Sequence, residues 1–206
     1  MKLLNTKEQD YLNHLLEATK IFKELDIPYF LVGGTLLALY RGQFIPWDLK
    51  DVDICIFYAN WDIPTRHKII AKAEKAGFYT RMVPNKIIQS VSQMRLDKGP
   101  IHTDIFIYYP SGDWTLHRWC TGKNKYIYYA EPAKYTNNLS TLTFKGHTFS
   151  VPSHTEDHLA LYYGRDWKTP KVMSSIELEP IYKARYRDFL KGKFNEKKYL
   201  QEILEV

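Results

Sequence analysis

Residues 31–57 constrain the fold more than any other part of this chain. Their sequence predicts a buried strand, a Gly33-Gly34-Thr35 turn, a short helix, a loop, and a second strand that opens with Asp51-x-Asp53. Side chains two residues apart on a strand lie on the same face, so both carboxylates are expected to approach one point. Their negative charges repel each other unless a cation lies between them. The pattern therefore predicts a site for a hard divalent cation, Mg2+ or alternatively Mn2+.

The Gly33-Gly34-Thr35 turn stands directly before the predicted helix. The first N–H groups of a helix have no partner within it, so they can bind an anion such as a phosphate. A glycine pair alone usually marks only a turn. Its position between strand and helix, shortly before the two acids, favours a phosphate-binding site beside the cation site.

Asp104 strengthens this prediction because it is an acid in the middle of an otherwise hydrophobic strand, residues 101–109. An unpaired charge there would be expensive, so the residue either joins the other carboxylates or forms a buried ion pair with Arg41 or Arg95. If the two acid-bearing strands are neighbours, three carboxylates converge at one end of a sheet. Such an arrangement holds one or two magnesium ions for phosphoryl or nucleotidyl transfer. For His102, on the same face, a hydrogen-bonded core role is favoured over a role as base.

Periodicity and turn residues predict an α/β (α+β) fold in which a mixed sheet is flanked by helices. An amphipathic helix is expected over residues 6–25, with Thr6 and Gln9 as its capping box, and another after Ser153, capped by Ser153 and Glu156. Two strands are expected to join at Pro84-Asn85. The remaining strands are expected at residues 29–32, 52–57, 114–120, 126–129 and 142–151, the last with a turn at 145–146, and the remaining helices at 35–41, 64–76, 181–190 and 196–204.

Composition limits the classes of protein without choosing one. The 206 residues suit one catalytic domain, residues 1–180, with a basic helical tail, residues 181–206, that packs on it or extends it. The formal charge of +6 favours an anionic partner. Two separated cysteines indicate neither a zinc site nor a disulfide framework. No apolar run is long enough to span a bilayer and the first residues are charged, so a cytoplasmic protein is expected.

Three blocks of sequence point to a known family. They are Gly33-Gly-Thr-Leu-Leu-Ala-Leu-Tyr-Arg-x-x-x-Ile-Pro-Trp47 followed by Asp51-Val-Asp53, the strand Thr103-Asp-Ile-Phe-Ile-Tyr108, and the late block Tyr163-Gly-Arg-Asp-Trp-Lys-Thr-Pro170. Together they resemble the LicD family of the nucleotidyltransferase superfamily, which includes bacterial phosphocholine transferases, fukutin and fukutin-related protein. The resemblance spans roughly residues 29 to 172 and implies a fold like that of DNA polymerase beta.

The resemblance also implies roles for individual residues. The metal ligands and catalytic residues would be Asp51, Asp53 and Asp104, and the donor phosphate would bind at Gly33, Gly34 and Thr35, with Arg41 as a weaker candidate. Many family members carry a run of acids directly after the Pro-Trp pair, but here the loop is one residue longer, so Asp48 is given no metal role. The residues Tyr163, Gly164 and Trp167 match a family motif, and packing at a helix end explains them equally well.

The implied activity is metal-dependent transfer of a phospho-substituent (phosphocholine, alditol phosphate or similar). The donor would be CDP-activated, the acceptor a sugar hydroxyl of a glycan or glycolipid, and CMP would be released. One alternative is a nucleotidylyltransferase that delivers an NMP to a small molecule, protein or RNA. Another is a non-catalytic basic module that binds phosphoglycan or nucleic acid; three intact acids argue against it, and nucleic acid is not the expected partner. Peripheral association with a membrane through the basic tail stays open.

Overall fold

A computed structural model of the chain describes residues 4–44, 49–85, 90–121, 125–170, 186–187 and 191. The chain divides into two compact units, residues 1–107 with 143–149, and residues 108–142 with 150–206. The predicted tail, residues 181–206, lies almost entirely outside the described residues, so its separation from a catalytic domain stays a prediction. No helix in the described part of the chain is both long and apolar enough to cross a membrane.

The order of elements alternates helices and strands before it becomes mostly strands. Within the described residues the helices are α1 (Thr6–Glu24), α2 (Gly33–Arg41), α3 (Ile63–Lys75) and α4 (Thr155–Tyr163). The strands are β1 (Tyr29–Leu31), β2 (Asp51–Phe57), β3 (Tyr79–Asn85), β4 (Ser90–Lys98), β5 (Ile101–Ser111), β6 (Trp114–Thr121), β7 (Lys125–Pro132), β8 (Leu139–Phe144) and β9 (His147–Pro152). The predicted fold class, a mixed sheet flanked by helices, is confirmed.

The sheet of the first unit has the strand order β1-β2-β5-β4-β3, so the two acid-bearing strands, β2 and β5, are neighbours, a point that the sequence left open. The backbone N–H of His102 donates to the carbonyl of Lys50 at 3.0 Å, which ties the beginning of β5 to the residue before β2. The expected turn at Pro84-Asn85 is wrong, because both residues lie within β3 and pair with β4 after a register shift.

Helix α1 packs its apolar side into the first unit, where Tyr11, Leu15 and Phe22 are fully buried. Its cap lies one residue earlier than predicted. Asn5 is the N-cap and accepts the Glu8 N–H, while the Glu8 side chain accepts the Asn5 N–H, which makes the capping box reciprocal. The prediction was out of register because Thr6 and Asn5 are both good capping residues, and sequence alone does not decide between them.

The second unit pairs the end of β5 with β6, and β6 with β7, in antiparallel register. The ring of His117 on β6 is stacked between Tyr108 and Tyr129, with ring centroids 4.4 and 4.5 Å away. The predicted capping role of Ser153 is wrong. Its hydroxyl donates to the carbonyl oxygens of residues 134 and 135, and helix α4 begins after His154 without a side-chain cap. A turn at Lys145-Gly146 joins β8 to β9 as expected.

Candidate functional site

Asp53 lies against the beginning of helix α2. Its carboxylate oxygen Oδ2 accepts the backbone N–H of Gly34 at 3.0 Å, and the backbone of Thr35 also hydrogen bonds to the carboxylate. Gly33 permits this approach, because its φ is +57° and a Cβ built there would lie 2.8 Å from Cγ of Asp53. The backbone N–H groups of Gly34 and Thr35, which were expected to bind a phosphate, therefore donate hydrogen bonds to the Asp53 carboxylate.

Thr35 is completely buried, and its hydroxyl joins three elements. Its Oγ1 accepts the backbone N–H of Asp53 at 2.8 Å and lies 2.7 Å from the hydroxyl of Tyr11 on α1. The Tyr11 hydroxyl in turn donates to the carbonyl oxygen of Asp51 at 3.0 Å. These bonds fix the backbone between the two acids of β2, so the side chain of Thr35 serves the framework of the site.

Asp104 forms the buried ion pair that the sequence left open, and its partner is Arg95 on β4. The two residues are register partners in the antiparallel β4–β5 pair. Arg95 Nε donates to Oδ1 at 2.8 Å and Nη2 donates to Oδ2 at 3.0 Å, which is a two-point contact with the carboxylate. The side chain of Asp104 is 8% exposed and that of Arg95 is 30% exposed, so the carboxylate is buried while the arginine remains partly accessible to solvent.

His102 connects the remaining acid to the same group. Its Nε2 lies 2.9 Å from Oδ1 of Asp51 and 2.7 Å from Nη2 of Arg95. One ring nitrogen carries either a proton or a lone pair, so it satisfies only one of these neighbours at a time. The hydrogen bond from His102 lowers the pKa of Asp51, whose side chain is 55% exposed. The hydrogen-bonded role expected for His102 agrees with this geometry.

The charges of the three carboxylates are coupled. Loss of solvation raises the pKa of Asp53 well above its usual range, and the negative charges of Asp104 and Asp51 raise it further. Oxygen donors with an excess of negative charge suit a hard divalent cation. As the side chains are arranged, no group of three or more His, Cys, Asp or Glu side chains among the described residues could hold a metal ion. The reason is local, since Asp104 is turned to Arg95 and Asp53 is turned to the N-terminus of α2.

The remaining candidate residues belong to three other segments of the chain. Arg41 lies in the last turn of α2, eight residues after Gly33, which corresponds to about 12 Å along the helix axis. Residues 45–48, with the Pro-Trp pair and Asp48, lie outside the described residues. In the second unit Gly164, with φ of +83°, ends α4, and Trp167 is only 4% exposed, as packing at a helix end requires.

Sequence reasoning missed Tyr11 altogether. It stands among the apolar positions of α1, and its polar partners follow 24 and 40 residues later, so no local pattern marks it. Arg95 was named only as a partner for Asp104. Its contact with His102 depends on the register of β4 against β5, and that register cannot be read from the sequence.

The chain is similar in sequence to proteins of one known family. Residues 26–154 match the family described as LicD/FKTN/FKRP, nucleotidyltransferase domain. The ribitol-5-phosphate transferase FKTN of Mus musculus is 31% identical over 161 residues, which cover 74% of this chain and 32% of that protein. The Homo sapiens protein of the same name is 29% identical over the same shares. The chain spans about a third of the length of these relatives.

Among solved structures, the solution structure of the antibiotic-resistance factor ANT(2'')-Ia has a TM-score of 0.48 at 14% identity, with 93% of this chain and 90% of that chain covered. The crystal structure of ANT(2'')-Ia in complex with adenylyl-2''-tobramycin has a TM-score of 0.47, also at 14% identity, with 94% of each chain covered. These low values decide nothing about the reaction. The family match, which includes β2, α2 and β5, decides the membership: the chain belongs to the LicD/FKTN/FKRP nucleotidyltransferase-domain family.

Proposed function

We propose that this chain carries the catalytic site of a metal-dependent transferase of the CDP-alditol phosphotransferase type. It would move an alditol phosphate from a CDP-activated donor to a sugar hydroxyl of a glycan or glycolipid and release CMP. The observation that carries the proposal is that Asp53 lies at the N-terminus of α2, close enough to Asp51 and Asp104 for their negative charges to raise its pKa. The name of the FKTN relatives, ribitol-5-phosphate transferase, supports the choice of an alditol phosphate as the transferred group.

To hold a hard divalent cation, Mg2+ or Mn2+, together with Asp51, the carboxylates of Asp53 and Asp104 would turn from their present partners, the Gly34 N–H and Arg95. When bound, such a cation neutralises negative charge on a diphosphate and on its leaving group. Asp51 is the acid that reaches solvent most directly, because its side chain is 55% exposed while that of Asp104 is 8% exposed. Donor access is therefore expected from the Asp51 side.

The residues around Asp51 and Asp53 hold these two acids in position. Thr35 and Tyr11 hold the backbone of β2 between the two acids, and His102 hydrogen bonds with the carboxylate of Asp51. In phosphoryl transfer a protein contributes mainly the placement of groups and a fixed electrostatic environment. Loss of either acid of β2 should therefore remove turnover while the fold persists.

The test compares Asp51→Asn and Asp53→Asn with a matched Asp97→Asn variant. Asp97 lies on β4 of the same sheet and forms an ion pair with Arg81. Its carboxylate is 25% exposed, so Asp97→Asn controls for removal of a paired acid from this sheet. We expect CMP release from CDP-ribitol in the presence of acceptor glycan to fall at least a hundredfold in the first two variants and to stay within threefold in the control. Undiminished turnover in either β2 variant refutes the proposed site.

Mass spectrometry of the acceptor separates this reaction from nucleotidyl transfer. Addition of an alditol phosphate, with free CMP, supports the proposal. Addition of a nucleotide to the acceptor contradicts it and makes the chain a nucleotidylyltransferase.

A further inference from the structure

The large hydrophobic side chains that are exposed among the described residues all border helix α3. They are Tyr58 at 55%, Ile63 at 59% and Tyr79 at 68% exposure. Tyr58 begins a short 3₁₀ helix (Tyr58–Asn60) before α3, Ile63 is the first residue of α3, and Tyr79 is the first residue of β3, the next strand. Single exposed hydrophobic residues scattered over a surface are ordinary, whereas a group of them marks an interaction site.

The start of α3 is stabilised without the side chain of Ile63. Asp62 is the N-cap, and its Oδ1 accepts the backbone N–H of Thr65 at 2.7 Å. The guanidinium carbon of Arg66 lies 5.6 Å from the ring centroid of Trp61, which is itself buried. Ile63 takes part in neither contact, and as a β-branched residue it adds little to helix formation. Packing within the first unit therefore does not explain an isoleucine at this position.

The outer face of α3 combines this isoleucine with positive charge. Four residues spaced by about one helical turn form a row that is exposed along its length: Ile63, His67, Ala71 and Lys75. Lys68 beside this row is also exposed, and within the described part of the chain neither it nor Lys75 forms an ion pair with an acid. Residues 58–79 contain four lysines and arginines against two acids. The surface around α3 is therefore both apolar and cationic.

We propose that this docking surface, formed by Tyr58, Ile63, Lys68, Lys75 and Tyr79, binds the protein to the surface of an anionic lipid bilayer. Aliphatic and tyrosine side chains enter the boundary between head groups and acyl chains, while lysines beside them attract anionic head groups. A purely anionic polymer would match the lysines but would leave the isoleucine in water. The bilayer surface satisfies both chemistries at once.

The docking surface lies at the end of β2 that is remote from the acids of the candidate site. Asp51 begins β2 and Tyr58 follows its last residue, so the seven residues of this strand separate them, which corresponds to about 23 Å. Bound lipid would therefore leave the acids uncovered. The inference goes beyond the proposed transfer reaction and is tested without any substrate.

The experiment measures cosedimentation of the full chain with vesicles of phosphatidylcholine alone, or of phosphatidylcholine and phosphatidylserine in equal parts. We expect binding to the anionic vesicles that weakens with added salt. Ile63→Ser should weaken it on the order of tenfold, because an apolar contact with the bilayer is lost. Lys68→Gln should weaken it roughly fivefold, since one cation near the lipid surface is removed.

Lys168→Gln is the matched control for the loss of charge. Lys168 lies in the second unit and its side chain is 65% exposed, so this variant removes the same charge from another part of the surface. Its binding should stay within about twofold of wild type, because electrostatic attraction to the bilayer falls off within a Debye length. Circular dichroism of each variant verifies that its fold is unchanged.

Weaker binding in Ile63→Ser and Lys68→Gln, but not in Lys168→Gln, supports the docking surface. Unchanged binding in both α3 variants overturns it and assigns the affinity to another basic segment, such as residues 181–206. A wild-type chain that binds no anionic vesicles overturns it as well. If that chain instead forms a dimer that Ile63→Ser dissociates in analytical ultracentrifugation, the surface is an interface between two copies. CMP release by the wild-type chain tests the proposed reaction separately, so failure of one proposal does not decide the other.

Discussion

Gly33→Ala tests how closely Asp53 is held against helix α2. Two terms add in this variant. A non-glycine residue at φ of +57° costs about 1 kcal/mol. The new Cβ would lie 2.8 Å from Cγ and 3.2 Å from Cβ of Asp53, so the carboxylate must rotate away and lose its bond to the Gly34 N–H. A hydrogen bond to a charged group contributes about 1.5–3 kcal/mol. We expect a total loss of about 2.5–4 kcal/mol.

Gly42→Ala is the matched control, because Gly42 ends the same helix at φ of +67° and nothing lies within 4 Å of a Cβ built there. It should lose only the backbone term, about 1 kcal/mol. Urea unfolding followed by circular dichroism measures both variants, with equal m-values showing that the native states are equally compact. If Gly33→Ala loses no more than Gly42→Ala, the close packing of Asp53 on the turn does not exist in solution.

Three further predictions concern the first unit. Thr35→Val leaves the Asp53 N–H without its buried acceptor and should lower the free energy of unfolding by about 1–3 kcal/mol in urea; Thr35→Ser, which keeps the hydroxyl, should lose about 1 kcal/mol, and equal losses would contradict this role. Burial lowers the pKa of His14 to about 4, so protonation of His14 does not reduce the free energy of unfolding above pH 6.5. As the pH drops from 6.5 towards 4, that free energy should fall by about 1.4 kcal/mol per pH unit. Denaturant titration of His14→Gln at several pH values should find this dependence removed. Burial raises the pKa of Asp53, so ionisation of this carboxyl destabilises the folded state as the pH rises through that pKa. Asp53→Asn in EDTA at neutral pH should therefore raise Tm, and a lower Tm would refute this.

Much of the first unit could be predicted because its signals are local. The helix over residues 6–24 and the strand over residues 51–57 follow from apolar periodicity, and the turn between β8 and β9 follows from Lys145-Gly146. The errors occur where competing local patterns are nearly equal in energy. Pro84-Asn85 has the composition of a turn, yet pairing with β4 extends β3 through both residues, since a register shift accommodates the missing N–H of the proline.

The three acids of the candidate site could be singled out from the sequence, but the residues that they contact could not. Asp51 and Asp53 share a face by the period of a strand, and Asp104 is conspicuous as an acid among apolar neighbours. The choice of Arg95 over Arg41 as its ion-pair partner depends on which strand pairs with β5 and in what register. Sequence spacing contains neither fact, because the two arginines are equally basic and each precedes Asp104 in the chain.

The largest difference concerns the phosphate site, and it connects two predictions that the sequence treated as separate. The turn at residues 33–35 was expected to offer its N–H groups to a phosphate, while Asp53 was expected to bind a metal. In the structure Asp53 and the N–H groups of Gly34 and Thr35 satisfy each other. Any cation that draws the Asp53 carboxylate away leaves those N–H groups without an acceptor at a helix N-terminus, where an anion is favoured. If a metal ion and a phosphate both bind at this turn, the Asp53 side chain couples the two, and each is expected to strengthen the binding of the other.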